Sequence, residues 1–142
     1  MRHLNRIWLP LCVTLVLAGC RGNETATTGT SGAGVKVTDV TLGRAIGGDK
    51  AVTDATDDFR PTDTIYASIA TDGSAASTSL RALWTYEDGQ VVDDSSRTIV
   101  PKNSERTEFH ISKPDGWPAG DYQLEVFVDG RSVEKKKFEV KQ

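Results

Sequence analysis

From Val35 onward, apolar and polar positions alternate with the period of strands, and no stretch keeps a helical period. Three runs are regular. In Asp63–Ala70, Ile65, Ala67 and Ile69 fall on one side. In Ser79–Glu87, Leu80, Ala82, Trp84 and Tyr86 oppose Arg81, Leu83 and Thr85. In Asp121–Asp129, Tyr122, Leu124, Val126 and Val128 alternate with Gln123 and Glu125. A sheet with one buried and one wet face requires this period of two. The first run, Val35–Gly43, slips: Val35 and Val37 share one parity, Val40 and Leu42 the other. A bulge, a change of sheet or burial on both sides produces such a slip. Asp88-Gly89 and Asp129-Gly130 carry hairpin chemistry, since both dipeptides accept positive φ. They return the chain into Gln90–Val100 and Arg131–Lys141. A further run, Glu105–Ser112, has Phe109 and Ile111 apolar. Seven strands within residues 35–142 predict one all-β domain, a β-sandwich, with a small β-barrel as the other way to close it.

The residues before Val35 have a different character. Arg2 and Arg6 precede an apolar run from Ile7 to Gly19, interrupted by Pro10. That run is shorter than the roughly 18–20 apolar residues a membrane-spanning helix needs. It ends in Leu17-Ala18-Gly19-Cys20, which resembles the bacterial lipobox. The resemblance implies a signal peptide over residues 1–19, cleavage between Gly19 and Cys20, and a lipid on the Cys20 thiol. Several acyl chains on one residue anchor stably, because each buried methylene contributes about 0.8 kcal/mol. Arg21 stands where lipoproteins retained in the inner membrane commonly carry Asp. The resemblance therefore implies the outer membrane, facing the periplasm. Residues 20–34 hold no large apolar side chain after Cys20 and read as a flexible Gly/Thr/Ser tether with a reach of roughly 20 Å.

Within residues 35–142, Trp84 sits on the third strand, and Gly120-Asp121-Tyr122-Gln123-Leu124 opens the sixth. This resembles immunoglobulin-like domains, which place a core tryptophan and a tyrosine corner there. The segment Gly116–Gly130 is similar to the penultimate hairpin of bacterial extracytoplasmic Ig-like modules. The resemblance is close over residues 80–140 and loose over 35–79. The two cysteines of the chain, Cys12 and Cys20, both precede the domain, so the expected sandwich lacks the sheet-bridging disulfide.

Charge and candidate chemistry narrow the function. The chain has 17 Lys+Arg against 20 Asp+Glu, a net charge of −3. Loss of Arg2 and Arg6 with the signal makes it more acidic, which disfavours a nucleic-acid partner. The basic run Lys135-Lys136-Lys137 reads as a solvated strand face or edge. Outside the signal there is one histidine, His110, whose parity opposite Phe109 and Ile111 places it in solvent. No zinc motif, P-loop, dinucleotide fingerprint or nucleophile elbow occurs, so an enzyme is not expected. Asp54, Asp57 and Asp58, with Asp49 and Asp63 nearby, form the one candidate metal set, since calcium takes several hard oxygens at flexible spacing. They lack the register of a dedicated calcium loop, and Asp and Thr also cap turns. Trp117, in a loop between Gly116 and Pro118, packs over the end of the sandwich or contacts a partner. Phe127, on the face opposite Val126 and Val128, and Tyr86, beside the hairpin, are the other candidate contact residues. The expectation is a non-enzymatic, lipid-anchored envelope protein whose Ig-like module binds another envelope protein or supports an envelope assembly. A module binding a small ligand or glycan, with calcium assisting, is the alternative. Apart from the covalent lipid, no cofactor is expected.

Overall fold

The computed structural model describes residues 34–142. The expected signal peptide and cleavage site, Cys20, and the expected linker up to residue 33 lie outside the described residues. Among the described residues eight strands are present: β1 (Lys36–Gly43), β2 (Asp58–Phe59), β3 (Ile65–Asp72), β4 (Thr78–Tyr86), β5 (Gln90–Ile99), β6 (Glu105–Ile111), β7 (Gly120–Val128) and β8 (Arg131–Val140). One sheet has the order β1-β3-β6 and the other β2-β8-β7-β4-β5. All neighbours run antiparallel except β2 and β8. The seven long strands are those the alternation marks, and they form a sandwich rather than a barrel.

The inward positions of both sheets meet in one apolar cluster. Leu42, Ile65, Ile69, Leu80, Trp84, Leu124 and Val126 are each at most 1% exposed. The slip in the first strand is a bulge between Val37 and Asp39. It turns Val40 and Leu42 into the core, while Val35 stays buried ahead of it. The segment after β1 folds back closely. A Cβ on Gly43 would lie 2.3 Å from the Asp54 carbonyl oxygen, so only glycine fits there. The β7–β8 turn places Asp129 and Gly130 at φ of 48° and 80°, the conformation the dipeptide anticipates.

β2 departs from the sequence reading, which offers only turn-capping and metal-candidate acids between the first two strand runs. Asp58-Phe59 pairs in parallel with Glu139-Val140 and caps the edge of the larger sheet. Phe59 is 1% exposed and meets the Phe138 ring edge-on at 5.5 Å. A lone aromatic in a polar run has no periodicity to announce its burial. The lysine run is also divided. Lys135 and Lys137 are exposed, whereas Lys136 shares the parity of Phe138 and Val140 and lines a groove beside Asp39 and Asp57.

Candidate functional site

A line of rings leads from the core to one end of the sandwich. Phe138 stacks on Tyr122 at 5.3 Å, and Tyr122 meets Tyr86 at 4.7 Å and Trp117 edge-on at 6.3 Å. Tyr86, Tyr122, Trp117 and Pro118 form the floor of a cleft of about 320 Å³. Gln90, Val91, Val92, Ser112 and Lys113 form its rim. The floor is fixed by its polar ends. The Tyr122 hydroxyl donates to the Pro118 carbonyl at 2.8 Å, and the Tyr86 hydroxyl to the Ala119 carbonyl at 3.1 Å. The first of these is the tyrosine corner that the strand-opening motif implies. The Trp117 indole N–H donates to the Asp63 carbonyl at 3.0 Å, and its backbone N–H to Pro61 at 2.7 Å. The loop between β6 and β7 is thus bonded down before anything binds.

The rim differs from the floor. Val91 is 59% exposed, the largest value among the exposed large hydrophobic residues described. The Lys113 ammonium meets no carboxylate within ion-pair distance among the described residues. A fixed aromatic floor, an exposed aliphatic side chain and a free cation suit a partner that brings an apolar group beside a negative charge.

Burial, and then Tyr86 and Glu87 nearby, push the Tyr122 phenol up to about 12. The folded value thus lies above the unfolded value of about 10. The resulting stability is fully present below about pH 10 and is lost as pH rises through about 12. Alkaline unfolding followed by tyrosine absorbance should fall in that window. Tyr122→Phe should move the transition upward, while costing about 1 kcal/mol at neutral pH for the lost bond to Pro118.

The structure thus brings Tyr86 and Trp117 together, and Trp117 does so as part of the floor, 7% exposed. Phe127 lies apart, half-buried on the outer face of the larger sheet. The Arg81 guanidinium covers its ring at 4.8 Å and grips both oxygens of Asp94, at 2.6 and 2.7 Å. That hydrogen bond holds the Asp94 carboxyl below its usual range.

The three metal candidates do not converge, and no group of acidic or histidine side chains suited to a metal occurs among the described residues. Cations of the chain itself meet two of them instead. Asp54 faces Arg44 at 3.6 Å, and Asp58 faces Lys141 at 2.9 Å. Asp57 offers its carbonyl to the Glu139 N–H at 2.8 Å. Arg44 is the organiser: it also bonds Asp63 at 2.9 Å and the Asp58 carbonyl at 2.6 Å. Asp49 caps its own turn through the Ala51 N–H, as the turn reading expects. His110 is exposed, contacts Glu108 at 2.5 Å and lies against Tyr66. Ser68, across the strand pair from Glu108, is wholly buried and donates to the Lys50 carbonyl, so it offers no exposed nucleophile.

Arg44, Phe59, Val91 and Lys113 escape the sequence reading. Only Val91 carries a local signal, as half of an apolar pair directly after a hairpin.

No family model matches this sequence, and no curated protein sequence matches it. Solved structures are similar in fold. A β-glucosidase from Listeria innocua in complex with glucose has a TM-score of 0.48 and 6% identity, over 76% of this chain and 16% of that one. An alkylpurine DNA glycosylase from Pseudomonas fluorescens, bound to DNA containing an abasic-site analogue, has a TM-score of 0.47 and 17% identity. It covers 78% of this chain and 31% of that one. This chain therefore spans a minor part of either enzyme. An immunoglobulin-like protein from Pseudomonas aeruginosa has a TM-score of 0.54 at 17% identity, over 79% of this chain and 100% of that one. With the two-sheet order and the buried Trp84 and Tyr122, this similarity shows that the described residues form an Ig-like β-sandwich.

Proposed function

We propose that the chain is a non-enzymatic, lipid-anchored envelope protein whose Ig-like module binds a segment of another envelope protein at the sandwich-end cleft. The observation that carries this reading is the cleft itself. Its aromatic floor is held by hydrogen bonds, so binding costs little ordering. Its rim exposes Val91 and Lys113. The lipobox supports the anchor, and Arg21 supports the outer membrane facing the periplasm. In this arrangement the lipid on Cys20 holds the module near the membrane, and the tether lets it reach its partner.

Two experiments test the two halves of the proposal. Cys20→Ser should abolish fatty-acid incorporation and move the chain from the membrane to the soluble fraction. Retention of both lipid and membrane association would refute the anchor. For the cleft, cells producing the native chain are cross-linked and the chain is purified by affinity, beside a Val91→Asp, Lys113→Glu version. One dominant envelope partner is expected, with recovery about tenfold lower for the double variant. Equal recovery from both versions would contradict the cleft. The cleft volume also lies at the small end for a small-molecule site. Thermal stabilisation of the chain by a sugar, unaffected by the double variant, would favour that second reading and move it elsewhere on the module.

A further inference from the structure

We propose that β5 pairs with β5 of a second copy of this chain, antiparallel about a two-fold axis at Ser95, so that two five-stranded sheets join edge to edge. β5 is the terminal strand of its sheet, opposite the short β2. A terminal strand presents a row of unpaired backbone N–H and C=O groups. Three large hydrophobic residues are exposed among those described, and two of them lie at the ends of this strand: Val91 at 59%, its second residue, and Val100 at 57%, just past its last.

The charges on β5 are self-complementary. Asp93 stands in register with Trp84, Ser95 with Ala82 and Arg97 with Leu80, so the three share one side of the strand. Asp93 accepts from the Ser95 hydroxyl and meets no cation among the described residues. The Arg97 guanidinium lies 5.4 Å from the Phe109 ring and meets no carboxylate. Each is thus a charge without a counter-charge, two residues to either side of Ser95.

In an antiparallel pair, residues equally far from the axis stand opposite each other on the same face. An axis at Ser95 therefore sets Asp93 opposite the partner's Arg97, and Arg97 opposite the partner's Asp93. By the same count Val91 falls at the apolar end of the other strand, where the partner's Ile99 is its counterpart. Moving the axis to Asp94 sets that carboxylate against itself, and moving it to Ser96 leaves Asp93 facing an isoleucine. Charges on an edge strand usually prevent pairing. Opposite signs placed symmetrically permit one register and resist the rest. A single strand edge buries little area, so the association belongs to the weak class.

The test uses the full chain in the cells that make it, carrying Ser95→Cys, with mild oxidation and a non-reducing gel. Opposed residues lie about 4.5–5.5 Å apart at Cα, within reach of a disulfide. The proposal expects a linked dimer. It expects Asp93→Arg or Arg97→Asp, added singly, to cut the dimer yield about tenfold by opposing like charges. The two together should restore it, because the swap rebuilds both pairs. Each variant should keep the native far-ultraviolet spectrum, since these side chains lie at an edge. Absence of a dimer from Ser95→Cys would overturn the proposal. So would equal or better linkage through Ser96→Cys, or a charge swap that folds natively without recovering the dimer.

Discussion

Phe59→Ala should destabilise the domain by about 3–5 kcal/mol, the cost of removing a fully buried phenylalanine. For a domain of this size that lowers the melting temperature by more than about 10 °C. The size of the effect follows from where the residue sits. Phe59 comes from a two-residue strand in an acidic segment, yet it is 1% exposed and packs against Phe138. Phe138 in turn touches Trp84 and Tyr122, so the cavity would open beneath the line of rings that supports the cleft. The Arg44 guanidinium lies over the Phe59 ring at 6.0 Å and would lose that contact as well. If the segment were a solvated loop, the change would stay within about 0.5 kcal/mol. Denaturant unfolding of the native and variant chains separates these outcomes.

Trp117→Ala should cost a similar amount, about 3–5 kcal/mol. Trp117 closes one end of the sandwich at 7% exposure and joins the β6–β7 loop to the segment before β3 through its bond to Asp63. Its loss empties the cleft floor and leaves the Asp63 carbonyl without that donor. Trp117→Phe should cost less, about 2 kcal/mol, because it keeps most of the apolar packing and forfeits the hydrogen bond and some volume. Thermal melts of the two variants give the comparison. The consequence for function is direct. A binding defect in Trp117→Ala reports a collapsed floor, whereas Val91 and Lys113 can be changed with the floor intact.

The strands were legible because each has one face in the core and one in water. Leu80, Ala82 and Trp84 on β4, and Tyr122, Leu124 and Val126 on β7, keep strict alternation, and the structure buries every one of them. Even the irregular first strand was readable, since a bulge must shift parity and Val35 to Leu42 shift it. The hairpins were legible from Asp-Gly, although in the first the positive φ falls on Glu87 and Gly89 and not on Asp88. What alternation does not encode is contact between segments far apart in sequence. Phe59 is buried by β8, some eighty residues later, and nothing in its neighbours marks that.

The acidic segment offers composition alone, and composition does not show that Arg44 stands among those carboxylates. The site was half legible for the same reason. Tyr86 and Trp117 stood out as aromatics beside turns, and the structure unites them. Lys113 and Val91 acquire meaning only when β5 and the loop after β6 come together at one end. Phe127 also stood out, but the cation covering it comes from across the sheet, at Arg81.

The central claim is that the sandwich-end cleft is where this module meets its partner. The most direct measurement places a photo-activated cross-linking residue at Val91 of the full chain in living cells, with Val133 as the control. Val133 is also exposed, at 45%, but it lies on β8, away from the cleft. The account predicts a discrete adduct from position 91 with an envelope protein, at a mass other than twice that of the chain, and no such adduct from position 133. No envelope-protein adduct at position 91, or the same one from both positions, would contradict it.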